Sequence, residues 1–159
     1  MSTHTATVRW QRAPDAQFTR HKYSRAHQWT FDGGATVPAS SSPHVVRAPW
    51  SDPAAVDPEE AYVAALSSCH MLWFLAIAAG EGYVVDAYED AAEGHMEGDP
   101  DTGASITEVV LRPHVRFSGD KVPDDRAVKH LHHRAHELCF LARSVKTEIR
   151  EEGTWRHAP

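Results

Sequence analysis

From Ala61 to Gly80 the chain carries no Asp, Glu, Lys or Arg. The residues leading in read as a helix start. Asp57 suits the N-cap, Pro58 the first helical position, and Glu60 sits where its carboxylate can reach back to the Asp57 N–H. The segment "GEG" from Gly80 reads as the stop. The spacing therefore predicts one helix from Asp57 to about Ala79. Such a run is long enough to raise the question of a membrane span. Ser67, Ser68, Cys69 and His70 lie in its middle, however, and would need partners at a bilayer centre. A helix buried at the heart of a globular fold suits both facts, and it obliges the rest of the chain to cover it.

The rest of the chain has the means. Its 159 residues fit a single domain spanning 1–159, of a size that buries roughly two thirds of the surface its unfolded chain exposes. Hydrophobic residues make up 42% and charged residues 24%, a globular composition. The formal net charge of -6, with no Lys/Arg-rich run, argues against nucleic acid as a partner. Twelve histidines hold that charge only near neutrality. The start, "MSTHTATVRW", lacks a basic segment followed by an apolar one. The expectation is thus no signal peptide, a cytoplasmic address and reduced thiols.

Residues Ala6–Trp10 read as a first strand and Tyr23–Phe31 as a second, ended by the hairpin signal "DGG" at Asp32–Gly34. "ATVPASSSP" reads as a third strand running into a loop, and residues 40–56, rich in Ser and Pro, as irregular chain. After the long helix, Tyr83–Met96 is a candidate strand, "EGDPDTGA" a turn, and Thr107–Phe117 a half-exposed strand with alternating faces, Pro113 marking an edge or bulge. Residues Pro123–Ala142 carry apolar positions Val128, Leu131, Ala135, Leu138 and Leu141 at helical spacing. "SVKTEIRE" reads as the last strand. Strands grouped in hairpins, rather than alternating with helices, predict an α+β fold with a largely antiparallel sheet.

Cys69 and Cys139 are the only thiols. On the first helix Tyr62, Ala65, Leu66, Cys69 and Trp73 share a face. A cysteine there can be simple packing. Cys139, though, lies near the end of the second helix, beside its apolar stripe. If the helices pack together, the two thiols can meet, with Cα atoms about 4.4–6.8 Å apart for a disulfide. Glu60 is assigned to the cap, which leaves Glu59 free. Glu59 precedes Cys69 by ten residues, about 15 Å along a helix axis, so it cannot touch the thiol. It could hold an arginine that does, since a guanidinium lowers a thiol's pKa. Arg20, Arg25 and Arg47 are the candidates. His132 and His136, four apart with Cys139 three further on, have a metal-ligand spacing, against which stands a plain solvated helix face. His70 diverges from Cys69 by about 100° and makes a poor dyad with it.

The stretches "DPEEAYVAALSSCHM" and "AHELCFLARSV", in this order, together resemble the OsmC/Ohr family of osmotically inducible and organic-hydroperoxide-resistance proteins. "SSCHMLWFL" is similar to an OsmC-like branch. The resemblance implies antiparallel sheets packed around two long central helices in an intertwined homodimer. It also implies a cysteine-based peroxidase without cofactor or metal. In that scheme Cys69 is peroxidatic, Cys139 resolving, and Glu59 with an arginine orients and activates Cys69. Arg25, in "YSRAHQWTFDGG", is favoured over Arg47. The implied partners are an organic hydroperoxide and an external dithiol reductant: a lipoyl protein, thioredoxin or a small thiol. The alternative is a non-enzymatic stress protein of the same fold, binding a metal or small ligand through His132 and His136.

Overall fold

The computed structural model describes residues 1–99 and 101–158. The cap read from the sequence is formed in it. Asp57 Oδ1 accepts from Glu60 N–H at 2.8 Å, and Glu60 Oε2 accepts from Asp57 N–H at 3.1 Å, so two otherwise orphaned backbone donors are each satisfied by the other residue's side chain. Helix α1 runs Pro58–Gly80 from this point. The chain divides into two compact units at its first turn, residues 1–61 and residues 62–159.

In residues 1–61, strands β1 (Ala6–Arg9), β2 (His27–Phe31) and β3 (Thr36–Ala39) form an antiparallel sheet in that order. The turn at Asp32–Gly34 works because Gly34 takes φ +85°, a left-handed conformation that glycine adopts freely. Residues Tyr23–Ala26, expected in the second strand, lie outside it. Arg25 N–H is held instead by Trp50 O at 2.8 Å, in the irregular segment 40–56. That segment closes back on the sheet through Ser40 N–H to Val56 O at 3.0 Å.

In residues 62–159 the expected long strands are each broken in two. Tyr83–Met96 becomes β4 (Val84–Asp90) and β5 (Glu93–Glu97); Thr107–Phe117 becomes β6 (Ser105–Leu111) and β7 (Pro113–Ser118); the last strand is β8 (Glu148–Glu151), followed by an unforeseen β9 (Thr154–His157). The halves sort into two sheets, β4-β7-β9 and β5-β6-β8. Each pairs one antiparallel and one parallel neighbour, so these two sheets are mixed, while the pairings of the whole fold remain largely antiparallel. The breaks align. Asp90 accepts from Arg112 N–H at 2.6 Å, and Leu111 O accepts from Glu152 N–H at 2.8 Å, so the three segments turn together. The alternation read over 107–117 fails for the same reason: Val109, Val110 and Leu111 are all buried where the sheet bends.

The bend faces α1. Leu66 packs with Val109 and Leu111 of one sheet, while Phe74 and Ala78 pack with Val115 and Phe117 of the other. At Gly94 on β5 the approach leaves no room for a side chain; a Cβ would lie 2.6 Å from Val63 Cγ2. Helix α2 (Asp125–Leu138), capped by Asp124 accepting from Ala127 N–H at 2.7 Å, joins the second cluster through Val128, Leu131 and Ala135. Each large side chain buried here stabilises the fold by about 1.5–3 kcal/mol. The buried stripe of α1 is Leu66, His70, Phe74 and Ala78, one residue round from the face grouped in the sequence. By length and composition α1 could cross a bilayer, but this stripe is filled by protein. Helix α2 ends sooner than expected. Cys139 is its C-cap, extended at φ -62° and ψ 113°, and lies outside the helix.

Candidate active site

The two thiols come together in the second unit. Cys69, halfway along α1, is partly exposed; Cys139, just past α2, is 1% exposed, and both are free. The two thiols are near enough for Cys69 to perturb the Cys139 thiol. Burial pushes the Cys139 thiol up to about 11, and the contact with Cys69 adds to it. Ala142 N–H, 3.4 Å from Cys139 Sγ, opposes the shift only in part. At neutral pH Cys139 therefore stays a thiol. Of the two, Cys69 is the one that solvent-borne molecules can reach.

Arg25 and Glu59 meet in the first unit. Both line a cavity of about 480 Å³, with Val8, Trp10, Phe18 and Tyr23 among its walls. Neither Arg20 nor Arg47 lines it. Arg25 and Glu59 form no ion pair within it. The guanidinium lies 3.7 Å above the Tyr23 ring and donates to His21 O at 3.0 Å and to Tyr23 O. Glu59 Oε2 is buried without a hydrogen-bond partner. A buried carboxylate oxygen normally has a donor, so this atom marks where one is wanted.

His70 and His132 form a pair that the sequence reading missed. His70 Nε2 and His132 Nδ1 are 3.1 Å apart, and the rings stack at 5.4 Å with planes 12° apart. His70 is 2% and His132 4% exposed. Glu151 Oε1 lies 3.8 Å from the other nitrogen of His132. His132 thus faces His70, while His136, expected beside it as a metal ligand, is exposed. Among the described residues no group of three His, Cys, Asp or Glu side chains could hold a metal ion. The spacing of His70 with Leu66 and Phe74, and of His132 with Val128 and Ala135, was the available signal that both rings face inward.

The pair titrates abnormally. Burial, helped by His136, pushes His70 down to about 4; burial, helped by His70, pushes His132 down to about 3. The unfolded chain takes up these protons near pH 6.5, the folded protein only well below. Stability contributed by the neutral pair is therefore complete above pH 6.5 and lost as pH falls toward 4, by up to about 1.4 kcal/mol per pH unit for each ring. Glu151, raised chiefly by burial, acts with the opposite sign. Urea unfolding at pH 7 and pH 5 checks this: the double variant His70→Gln/His132→Gln loses less stability on acidification than the wild type. Equal losses would dismiss the pair as the cause.

Residues 51–152 match the model of the family described as OsmC-like protein, a span that contains Glu59, Cys69 and Cys139 but not Arg25. No curated protein matches the chain. Among solved structures, an OsmC-like protein of unknown function from Vibrio cholerae O1 biovar eltor is 53% identical, covering 96% of this chain and 99% of its own, with a TM-score of 0.92. The organic hydroperoxide resistance protein OhrB of Bacillus subtilis shares the fold at 18% identity, 98% coverage of both chains and a TM-score of 0.62. So does an organic hydroperoxide resistance protein OsmC from Legionella pneumophila, at 12% identity, 98% and 97% coverage and a TM-score of 0.65. By its family match and this identity, the chain belongs to the OsmC-like family.

Proposed function

We propose that this protein is a thiol peroxidase that reduces organic hydroperoxides. One observation carries the reading: the only two thiols adjoin, one reachable and one buried and protonated. The fold shared with organic hydroperoxide resistance proteins supports it. The Cys69 thiolate attacks the distal oxygen of ROOH. The O–O bond breaks, the alkoxide leaves and takes a proton as ROH, and Cys69 becomes a sulfenic acid. Cys139 then attacks that sulfur. Its proton and the departing hydroxide leave as water, and a Cys69–Cys139 disulfide forms. An external dithiol, such as a lipoyl protein, thioredoxin or a small thiol, returns the two electrons by exchange. Arg25 and Glu59 orient the peroxide and activate Cys69. The setting is the reducing cytoplasm, with neither nucleic acid nor membrane as partner.

The working form is a homodimer. On α1 Leu72 is 61% exposed, and beyond α2 Phe140 is 67% exposed while stacking edge-on against Trp73 at 5.4 Å. Apolar surface of this kind calls for cover, and a second copy supplies it. Light scattering at micromolar concentration should give twice 17.6 kDa; a stable monomer would rule the dimer out.

The cysteine roles separate cleanly. Cys69→Ser should abolish hydroperoxide consumption. Cys139→Ser should complete one turnover and leave a sulfenic acid that dimedone traps. Retained turnover in Cys69→Ser, or identical behaviour of the two variants, would overturn the assignment.

Neighbouring carboxylates supply a further contrast. Glu60→Gln keeps an acceptor for Asp57 N–H and should change stability by less than about 1 kcal/mol. Glu59→Gln leaves that cap intact but removes the unpaired charge from the Arg25 cavity. Its second-order rate with hydroperoxide should fall by at least roughly tenfold, equivalent to about 1.4 kcal/mol in the transition state. Equal rates for wild type and Glu59→Gln would remove Glu59 from the mechanism.

A further inference from the structure

We propose that Trp10, Phe18 and Tyr23 form the specificity wall of the Arg25–Glu59 cavity, and that the preferred hydroperoxide carries an aryl group. This rests on the peroxidase reading and narrows its substrate class.

The three rings contact one another, with centroids 4.6 Å apart for Phe18 and Tyr23, 5.6 Å for Trp10 and Tyr23, and 5.9 Å for Trp10 and Phe18. They are not spent on a core. Ala39 is the only buried hydrophobic residue among positions 1–61, and Trp10 and Phe18 remain 40% and 48% exposed. A cavity of about 480 Å³ lies within the range of about 300–1,000 Å³ usual for small-molecule sites, which combine apolar walls with a few placed polar groups. Trp10 Nε1–H is already satisfied by Ser24 O at 2.9 Å, so its indole is anchored and offers the cavity its ring surface. His27 is committed as well, Nδ1 to Arg25 O at 2.7 Å and Nε2 to Trp29 Nε1 at 3.0 Å.

The charged groups that the cavity offers a ligand are Glu59, whose Oε2 has no partner, and the arms of the Arg25 guanidinium beyond the one that binds two carbonyls. A hydroperoxide matches that pair. Its oxygens accept from the guanidinium. The aromatic wall is left to choose the organic part. Aromatic rings attract an aryl group through offset and edge-on contacts beyond what area alone gives, enough for about a three- to tenfold preference.

The test compares kcat/KM for cumene hydroperoxide and tert-butyl hydroperoxide in wild type and Phe18→Leu. Phe18 is exposed on a short turn, and leucine keeps apolar bulk without the ring. The wild type should favour the cumene compound, and the variant should lose about three- to tenfold of that ratio. General damage would lower both rates and leave the ratio alone, and an unchanged ratio overturns the inference. Calorimetric binding of 2-phenyl-2-propanol, the unreactive alcohol of cumene hydroperoxide, makes the test independent of turnover. If neither hydroperoxide is consumed but the alcohol binds and Phe18→Leu weakens it, the aryl site stands and the peroxidase reading falls. If both hydroperoxides are consumed at equal rates and the alcohol does not bind, the peroxidase reading stands and the aryl site falls.

Discussion

Residues 62–158 are organised around a helix that has no charged side. A stripe of polar residues would have let α1 lie against one sheet and face water with the rest. Instead its length exceeds what one short sheet covers, and three long strands break in register to follow it. The clearest mark is Gly94, where a side chain would strike Val63. Leu66 is covered on one side of the bend and Phe74 on the other. Leu72 is left exposed.

Polar groups set inside such a helix must be answered locally, and here each has a distinct solution. Ser67 donates to Asp90, whose other oxygen takes Arg112 N–H, so the helix is tied to the point where the sheet turns. His70 is answered by His132, and burial keeps both neutral. Cys69 is answered by Cys139. The same desolvation that forbids a charge on the histidines holds the Cys139 proton in place. Burial thus divides two chemically equal thiols into one that solvent can reach and one held protonated.

Residues 1–61 invest their large side chains differently. With little buried beneath the β1-β2-β3 sheet, Trp10, Phe18 and Tyr23 border a cavity that also holds a guanidinium and an unpaired carboxylate oxygen. An uncompensated buried acceptor destabilises the free protein, and binding a donor there recovers that loss.

Local signals were legible from the chain alone. Asp57, Pro58 and Glu60 set the start of α1, Asp32–Gly34 set the first hairpin, and the two motifs around Cys69 and Cys139 carried the family. Each depends on contacts a few residues apart, or on a pattern kept in order. The sequence placed Cys139 in a helix and read the 83–96 and 107–117 stretches as single strands, because nothing local announces a bend. Bending is decided by Asp90 reaching Arg112, and by Leu111 reaching Glu152. It also could not choose the buried face of α1, since an all-apolar helix has no preferred side until its neighbours arrive. His70 meeting His132, 62 residues away, and Arg25 resting on Tyr23 while Glu59 stays unpaired, are decisions of tertiary structure alone. They follow from desolvation and close packing, which exist only once distant segments have met.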